Sequence, residues 1–534
     1  MSGPLPLTTA PLSTHTTNAP RSAACWPTPA FWLLLALPLL LGLGSYPLFD
    51  VDEGAFSAAT WAMLDSGDWG HTTLNGAPRF DKPILVYWLQ AASVALLGLN
   101  EWALRLPSAL CTWAAALAAG RFVAQRGGAR AGQLTALVLV TAFGPWAMAH
   151  AATADALLNL LLMLTALDVW RHLESGQRAP LRRAAVWVGL GLLTKGPIAV
   201  LVPGAALGLW VLTRRDWPAL RRVLGDPIAW LLVLAVAAPW YAYALHRHGM
   251  DFIAGFILKH NVGRFTGPME GHGGSLLYYV LIVPLLWLPW TPLWASLLPR
   301  WRALWCDAQM RFWLCWAGFV LVFFSLSGTK LPHYSLYAGP GLLMLTGWAL
   351  ARAEPGRAPR TALWIALALL VAGLGGVPWL LQSGALPIDD TLYAALLHGA
   401  PAPVVVLAVA AALLAAIGAL ALWAGQPFST RFAAAAWLVA VAHGLFATPW
   451  LGDALQGPIK RSAIAARAAA GDAPVVQWNV SWPSSGVYLN RVVPAREPQP
   501  GELAITRVDR LPSGVPVTVL RQENGVALVR REAP

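Results

Sequence analysis

Charge is scarce in this chain. Asp, Glu, Lys and Arg make up 12% of its 534 residues, about half of the roughly 25% carried by a soluble globular protein. Lysine is scarcest: only Lys82, Lys195, Lys259, Lys330 and Lys460 occur among 37 basic residues. Cysteine is almost missing too, and Cys25, Cys111, Cys306 and Cys315 show no CxxC spacing. Neither a metal site nor a disulfide framework is supported by that pattern. No internal repeat has a sequence signal, which counts against transporters built from duplicated halves. What abounds is apolar: 57% hydrophobic residues with 29 Trp. This composition excludes a soluble enzyme and defines a polytopic, all-α membrane protein. The net charge of +12 does not point to nucleic acid, because the arginines stand in short loops between apolar runs, as the positive-inside rule requires.

Runs of about 20 apolar residues can cross a bilayer. Thirteen candidates occur, at roughly 31–49, 106–124, 133–150, 154–170, 184–195, 197–213, 228–246, 276–298, 311–328, 334–351, 361–381, 402–424 and 432–448. The arginine clusters share one face under two conditions. Pro83–Leu99 must lie in the interface rather than cross, and the run 184–213 must be two short helices turning at Thr194-Lys195-Gly196-Pro197. The N-terminus is then cytoplasmic, the C-terminus is outside, and all five lysines lie on the outer side. Residues 1–29, rich in Thr, Ser, Pro and Ala, read as a disordered tail, and the run 31–48 as a retained first span rather than a cleaved signal. Residues 449–534 alternate strand-like runs with turn residues and read as a small α/β domain on the outer face.

The scarce charges then collect at that face. Asp50, Asp52, Glu53, Asp81 and Lys82 stand in the first outer loop (50–105). Asp155 and Lys195 stand at two turns, His260, Arg264, Glu270 and His272 in the loop 246–275, and Lys330 and Tyr334 in Thr329-Lys330-Leu331-Pro332-His333-Tyr334. Ionisable groups held beside a bilayer are costly and usually functional. Bases that hold phosphate oxygens and a carboxylate that takes a proton from a hydroxyl suit an anionic lipid headgroup as substrate, with phosphate as leaving group. Plainer readings stand beside this one. Asp52, Glu53 and Asp155 are placed to cap helices, Lys195 to snorkel, His260 and His272 to bind a metal, and Trp240-Tyr241 and Trp287–Trp290 to form an interfacial belt.

The ordered set Asp52-Glu53, Leu64-Asp65-Ser66-Gly67-Asp68-Trp69, Leu74-Asn75-Gly76, Phe80-Asp81-Lys82-Pro83, Tyr87-Trp88 and Arg105-Leu106-Pro107-Ser108 resembles the first outer loop of the bacterial family 39/family 83 glycosyltransferases. That group includes the lipid A aminoarabinose transferases and is similar in fold to protein O-mannosyltransferases. Thr194-Lys195-Gly196-Pro197, His260 with Arg264-Phe265 and Tyr278-Tyr279, and Lys330-Leu331-Pro332 with Tyr334 extend the resemblance over about 46–350. It implies a C-type glycosyltransferase fold, a polyprenyl-phosphate sugar donor and inversion at the anomeric carbon. It also implies catalytic carboxylates at Asp52, with Glu53 and Asp155 in support. Substrate contacts would come from Asp81, Lys82, Lys195, His260, Arg264, Lys330 and Tyr334.

The chain departs from the lipid A enzymes at Gly54-Ala55-Phe56-Ser57, where they have an Arg-Tyr-Ala segment, and at Asp81, where they have Glu. These differences bear on sugar and acceptor, not on reaction class. The expectation is an inverting transferase in the bacterial inner membrane, acting at the periplasmic face on a lipid or glycan acceptor, with lipid A one candidate. No cofactor is required, and a divalent ion at Asp81 and a nearby histidine stays open. A lipid-linked glycan polymerase or ligase would favour arginines in the outer loop, and a transporter would carry ionisable groups near mid-membrane.

Overall fold

The computed structural model describes residues 29–533 except Glu270, Ala353 and Asp472, so the tail at 1–28 lies outside the described residues. Among those described, seven helices are long and apolar enough to cross a membrane: Glu101–Gly127, Asp155–Ser175, Pro227–His248, Ala308–Leu326, Arg357–Gln382, Val404–Leu422 and the 43-residue stretch Phe428–Ala470. The pair Ala129–Thr141 and Phe143–Ala149, bent by 66°, makes an eighth if taken as one span. Pro29–Leu40, Leu85–Leu97 and Ile198–Arg214 are apolar but shorter.

Local chemistry explains where these helices stop. The turn expected near Thr194 is present: Arg178–Lys195 ends at Gly196 and Ile198–Arg214 begins after Pro197. Gly196 has φ +74°, and a Cβ there would sit 2.5 Å from the Phe256 ring, so the left-handed turn and the close approach both select glycine. The run 276–298, read as one span, is instead a nine-residue helix, Tyr278–Leu286, followed by turns and the short helix Pro292–Ala295. Pro284, Pro289 and Pro292 remove backbone donors at three places in this run. At the other extreme, the helix expected to end at 448 continues to Ala470, through a π-turn at His443–Ala447. It carries the chain straight across the expected domain boundary.

The bundle closes through small residues and aromatics. Gly120 and Ala124 of the Glu101–Gly127 helix face Gly132 and Ala136 of Ala129–Thr141, and a Cβ at Gly132 would meet the Gly120 carbonyl at 2.4 Å. Without a hydrophobic drive between helices in lipid, such close backbone approach supplies the van der Waals contact. Trp170, Trp210, Phe312 and Trp313 form an edge-to-face layer at ring separations of 4.9–6.5 Å.

At the C-terminus, Val475–Trp478 pairs parallel with Leu503–Arg507, which pairs antiparallel with Val526–Arg531, and that strand pairs antiparallel with Val517–Glu523. Asn524 and Gly525, both at positive φ, close the last hairpin. Val475, Ile505 and Leu528 pack on Ile459, Ala463 and Ala466 of the long helix.

Gly132→Val should lower the thermal unfolding midpoint in detergent, by about 1–3 kcal/mol of overpacking. Gly128→Ala, at a position where a Cβ meets nothing within 4 Å, should cost only its positive-φ strain.

Candidate active site

The Asp52–Ser66 helix starts directly from the first outer loop, and its first two residues have opposite fates. Glu53 is buried. Arg105 Nε donates to its Oε1 at 2.8 Å and Arg105 Nη2 to its Oε2 at 2.8 Å, while the Phe49 and Ala152 backbone N–H groups donate at 2.9 and 2.6 Å. The remaining guanidinium hydrogens go to the carbonyls of Leu43, Tyr46 and Pro47, and the Tyr46 ring stacks under the guanidinium at 3.8 Å. Asp52, one residue earlier, is exposed, and its side chain has no hydrogen bond or ion pair among the described residues. It neither caps the helix nor is neutralised.

Asp52 faces a cavity of about 700 Å³ whose walls also carry Asp81, Lys82, Asp155, Lys195 and Arg264. The walls also carry apolar side chains, among them Leu369, Leu374, Val377 and Leu381 of one helix and Leu451.

Two carboxylates hold the cations. Asp81 Oδ1 accepts from Lys82 Nζ at 2.7 Å and its Oδ2 from Arg79 Nη2 at 2.9 Å. His260 Nδ1 lies 3.1 Å and Arg264 Nη2 3.9 Å from Oδ1. Burial works against the Asp81 charge, but Lys82, His260 and Arg79 outweigh it and hold the carboxyl well below its usual range. Lys82 is pushed down by burial, against the pull of Asp81 and with the help of Lys195 and Arg264. Asp155 Oδ1 accepts from Lys195 Nζ at 2.6 Å and from the Tyr337 hydroxyl at 2.5 Å. Lys195 Nζ also donates to the Tyr337 oxygen at 2.7 Å. Arg264 Nη1 donates to the Tyr334 hydroxyl at 3.2 Å.

The structure therefore gathers Asp52, Asp81, Lys82, Asp155, Lys195, Arg264 and Tyr334 around one space, with His260 behind Asp81. Glu53 also lines this cavity, but both its carboxylate oxygens are taken by Arg105. Lys330 is buried and donates to the Ser327 carbonyl of its own loop at 2.6 Å. His272 is exposed, Lys330 N–H donates to its carbonyl, and Glu270 lies outside the described residues. Among those described, no three His, Cys, Asp or Glu are grouped to hold a metal.

Four residues at the site were not singled out from sequence. Arg79 pairs with Asp81 and donates to Tyr87. Arg105 fixes Glu53, and its presence in an apolar helix is a signal in itself. Tyr337 stands three residues beyond Tyr334. His333 lines the cavity 3.7 Å from Asp155. Burial, against the pull of Asp155, brings its ring down to about 4 and leaves it neutral near pH 7.

The architecture and the charged cavity together define a C-type glycosyltransferase fold. The structure of ArnT from Cupriavidus metallidurans bound to undecaprenyl phosphate superposes with a TM-score of 0.78 at 22% identity, over 94% of this chain and 97% of that one. The apo structure of the same protein gives 0.79 at 23%. A family model for dolichyl-phosphate-mannose-protein mannosyltransferases matches residues 81–243. An undecaprenyl phosphate-alpha-4-amino-4-deoxy-L-arabinose arabinosyl transferase 2 of Pseudomonas fluorescens (strain Pf0-1) is 30% identical over 348 residues, 62% of either chain. Its counterpart in strain Pf-5 is 31% identical over 357 residues, covering 64% of this chain and 60% of the relative. The aligned region thus spans about six tenths of these relatives. The chain resembles the family 39/family 83 C-type glycosyltransferases, as its motifs imply.

Two outcomes follow from the geometry. Arg105→Ala leaves the Glu53 carboxylate buried without its partner, which costs about 3–5 kcal/mol; a large fall in the thermal midpoint is expected, and a smaller one for Glu53→Gln. Asp81→Asn removes the charge that supports protonated Lys82, so Lys82 loses its proton at lower pH. Titrating binding of inorganic phosphate as an anion probe over about pH 6–10 should show the alkaline limb displaced towards neutrality in this variant. On the acid side Asp81, held well below the usual carboxylate range by Lys82, His260 and Arg79, keeps its charge, and its contribution is lost only as pH falls through that lowered range.

Proposed function

We propose that the protein transfers a sugar from a polyprenyl-phosphate carrier to a hydroxyl or phosphate oxygen of a lipid or glycan acceptor, inverting the anomeric centre. One observation carries this reading. Lys82, Lys195 and Arg264 line one cavity together with Asp52, whose carboxylate has no hydrogen bond or ion pair among the described residues, and with apolar side chains from Arg357–Gln382. A lipid phosphate needs both kinds of lining, because its tail stays in an apolar path while its headgroup reacts.

In this mechanism Asp52 Oδ accepts the proton of the acceptor O–H as that oxygen attacks the anomeric carbon. The bond from that carbon to the phosphate oxygen breaks, and the electron pair leaves with the polyprenyl phosphate. Lys82, Lys195 and Arg264 stabilise the charge that develops there. Asp81 and Asp155 keep the two lysines aimed while no donor is bound, so little reorganisation is left for the reaction itself. Tyr334 and His260 fix Arg264 and Asp81. Glu53 takes a positioning part through Arg105, and Lys330 supports its loop through the Ser327 carbonyl.

The similarity to aminoarabinose transferases makes lipid A the first acceptor to test and undecaprenyl phosphate the first carrier. The same reading places the protein in the bacterial inner membrane with the cavity and the C-terminal segment facing the periplasm. The reading of thirteen crossings counts short segments such as Ile198–Arg214 and the broken run 276–298 as spans and leaves Leu85–Leu97 in the interface. The membrane part covers 30–448, with its first outer loop at 50–105, and the C-terminal α/β part covers 449–534.

Asp52→Asn should reduce transfer from a purified undecaprenyl-phosphate sugar by about 10²–10⁴-fold, with undecaprenyl phosphate affinity kept. Retained turnover would remove Asp52 as the base. Conversely, Lys195→Ala should weaken carrier binding itself.

A further inference from the structure

The loop that presents Asp52 is held from the far end of the chain. Asp50, two residues before the proposed base, accepts from the Ser484 backbone N–H at 2.9 Å, and the Ser484 hydroxyl donates to its other oxygen. The Asp50 N–H donates to Gln456 Oε1 at 3.3 Å and the Leu48 N–H to the Tyr488 hydroxyl at 2.8 Å. On the other side of Asp52, Trp61 Nε1 donates to Asn490 Oδ1 at 2.7 Å. Gly54 makes room for this contact: a Cβ there would lie 1.9 Å from Asp50 Oδ1 and 2.7 Å from Ser484 N. Ser484 is buried and belongs to the short helix Ser484–Leu489, which packs against the long helix Thr448–Ala470 and the C-terminal sheet.

These contacts differ in what they touch. Trp61 with Asn490 ties the side of the Asp52–Ser66 helix to the C-terminal segment. Asp50 with Ser484 acts on the loop itself. Asp50 lines the cavity beside Asp52, and the carboxylate of Asp52 has no bond of its own to set its direction. Its aim therefore depends on the backbone at 50–53. One side of that backbone is fixed by Glu53 with Arg105, the other by Asp50 with Ser484.

We infer that Ser484 is a positioning residue for the reaction: through Asp50 it sets where the Asp52 carboxylate points, so the C-terminal segment is part of the active site. The inference rests on the reading of Asp52 as the base. Displacement of a reacting group by about 1 Å costs as much as 10²-fold in rate, whereas the cation cluster on Lys82, Lys195 and Arg264 has no contact with Ser484 and should bind the carrier as before.

The test uses the full chain in detergent, with Ser484→Ala, Ser484→Thr, Asp50→Ala, the Asp50→Ala/Ser484→Ala pair, and Asn490→Ala as a control on the same interface. Ser484→Ala should lower kcat by about 10- to 100-fold, with undecaprenyl phosphate affinity and thermal midpoint close to wild type. Ser484→Thr, which keeps the hydroxyl, should recover most of the rate. The double variant should be no slower than Asp50→Ala alone, since both act through one contact. Asn490→Ala should stay within about twofold of wild type. Equal loss in Asn490→Ala, additive losses in the double variant, or an unchanged kcat in Ser484→Ala would each overturn the inference. If the wild-type protein transfers no sugar, the functional reading has failed, and amide exchange over residues 48–56 decides the contact separately. Faster exchange in Ser484→Ala, reversed in Ser484→Thr, supports it, and unchanged exchange sinks it.

Discussion

Every N–H of the Arg105 guanidinium is used, two on the Glu53 carboxylate and three on the carbonyls of Leu43, Tyr46 and Pro47. Glu53 in turn takes the N–H groups of Phe49 and Ala152. Two charges removed from water at the edge of a membrane core are tolerable only with such complete satisfaction. The pair therefore dictates the path of residues 43–53, where the first helix gives way to the loop that carries Asp50 and Asp52. It also settles which neighbour of Glu53 can do chemistry. With Glu53 turned inward on a helix, Asp52 is forced outward, one helical step of about 100° away, into the cavity.

The cations around that cavity are restrained by acids of the same kind. Asp81 holds Lys82 and Arg79, and Asp155 holds Lys195. Each carboxylate offsets part of the repulsion among closely placed bases, so the cluster can exist without a ligand and still favour an anion. Neutral His333 and the hydroxyls of Tyr334 and Tyr337 add hydrogen-bonding capacity without adding charge. Asp52 has no ion pair among the described residues, which leaves its carboxylate open to the cavity.

Much of this could be read from the chain. Scarce charges made Asp52, Lys82, Lys195 and Arg264 conspicuous, and the Thr194–Pro197 turn followed from the arginines flanking it. What the sequence hides is pairing between distant segments. Nothing in its spacing says that Arg105 belongs to Glu53, that Tyr337 closes on Asp155 182 residues earlier, or that Asp50 meets Ser484 across 434 residues. Lys330 is a further case of hidden pairing: its ammonium donates to a carbonyl three residues away, a contact its motif does not announce. Hydropathy was similarly blind to order within apolar runs. It merged 276–298 into one span where three prolines break it, and it ended a span at 448 where the helix continues.

That continuation gives residues 448–470 a property that loops do not have. A helix is a screw, and each residue advances it by about 1.5 Å and turns it by about 100°. The strand and short helix that follow Ala470 are therefore set in angle as well as in height above the bilayer. A single-residue insertion or deletion along this stretch would swing the C-terminal sheet around the axis and carry its serine to another side of the molecule. The same change in the 383–390 connection, which has no regular structure, would be absorbed locally. Between these two linkers the one that looks like a mere boundary is the one whose length is a specification, a shaft that must arrive in phase with the loop it meets.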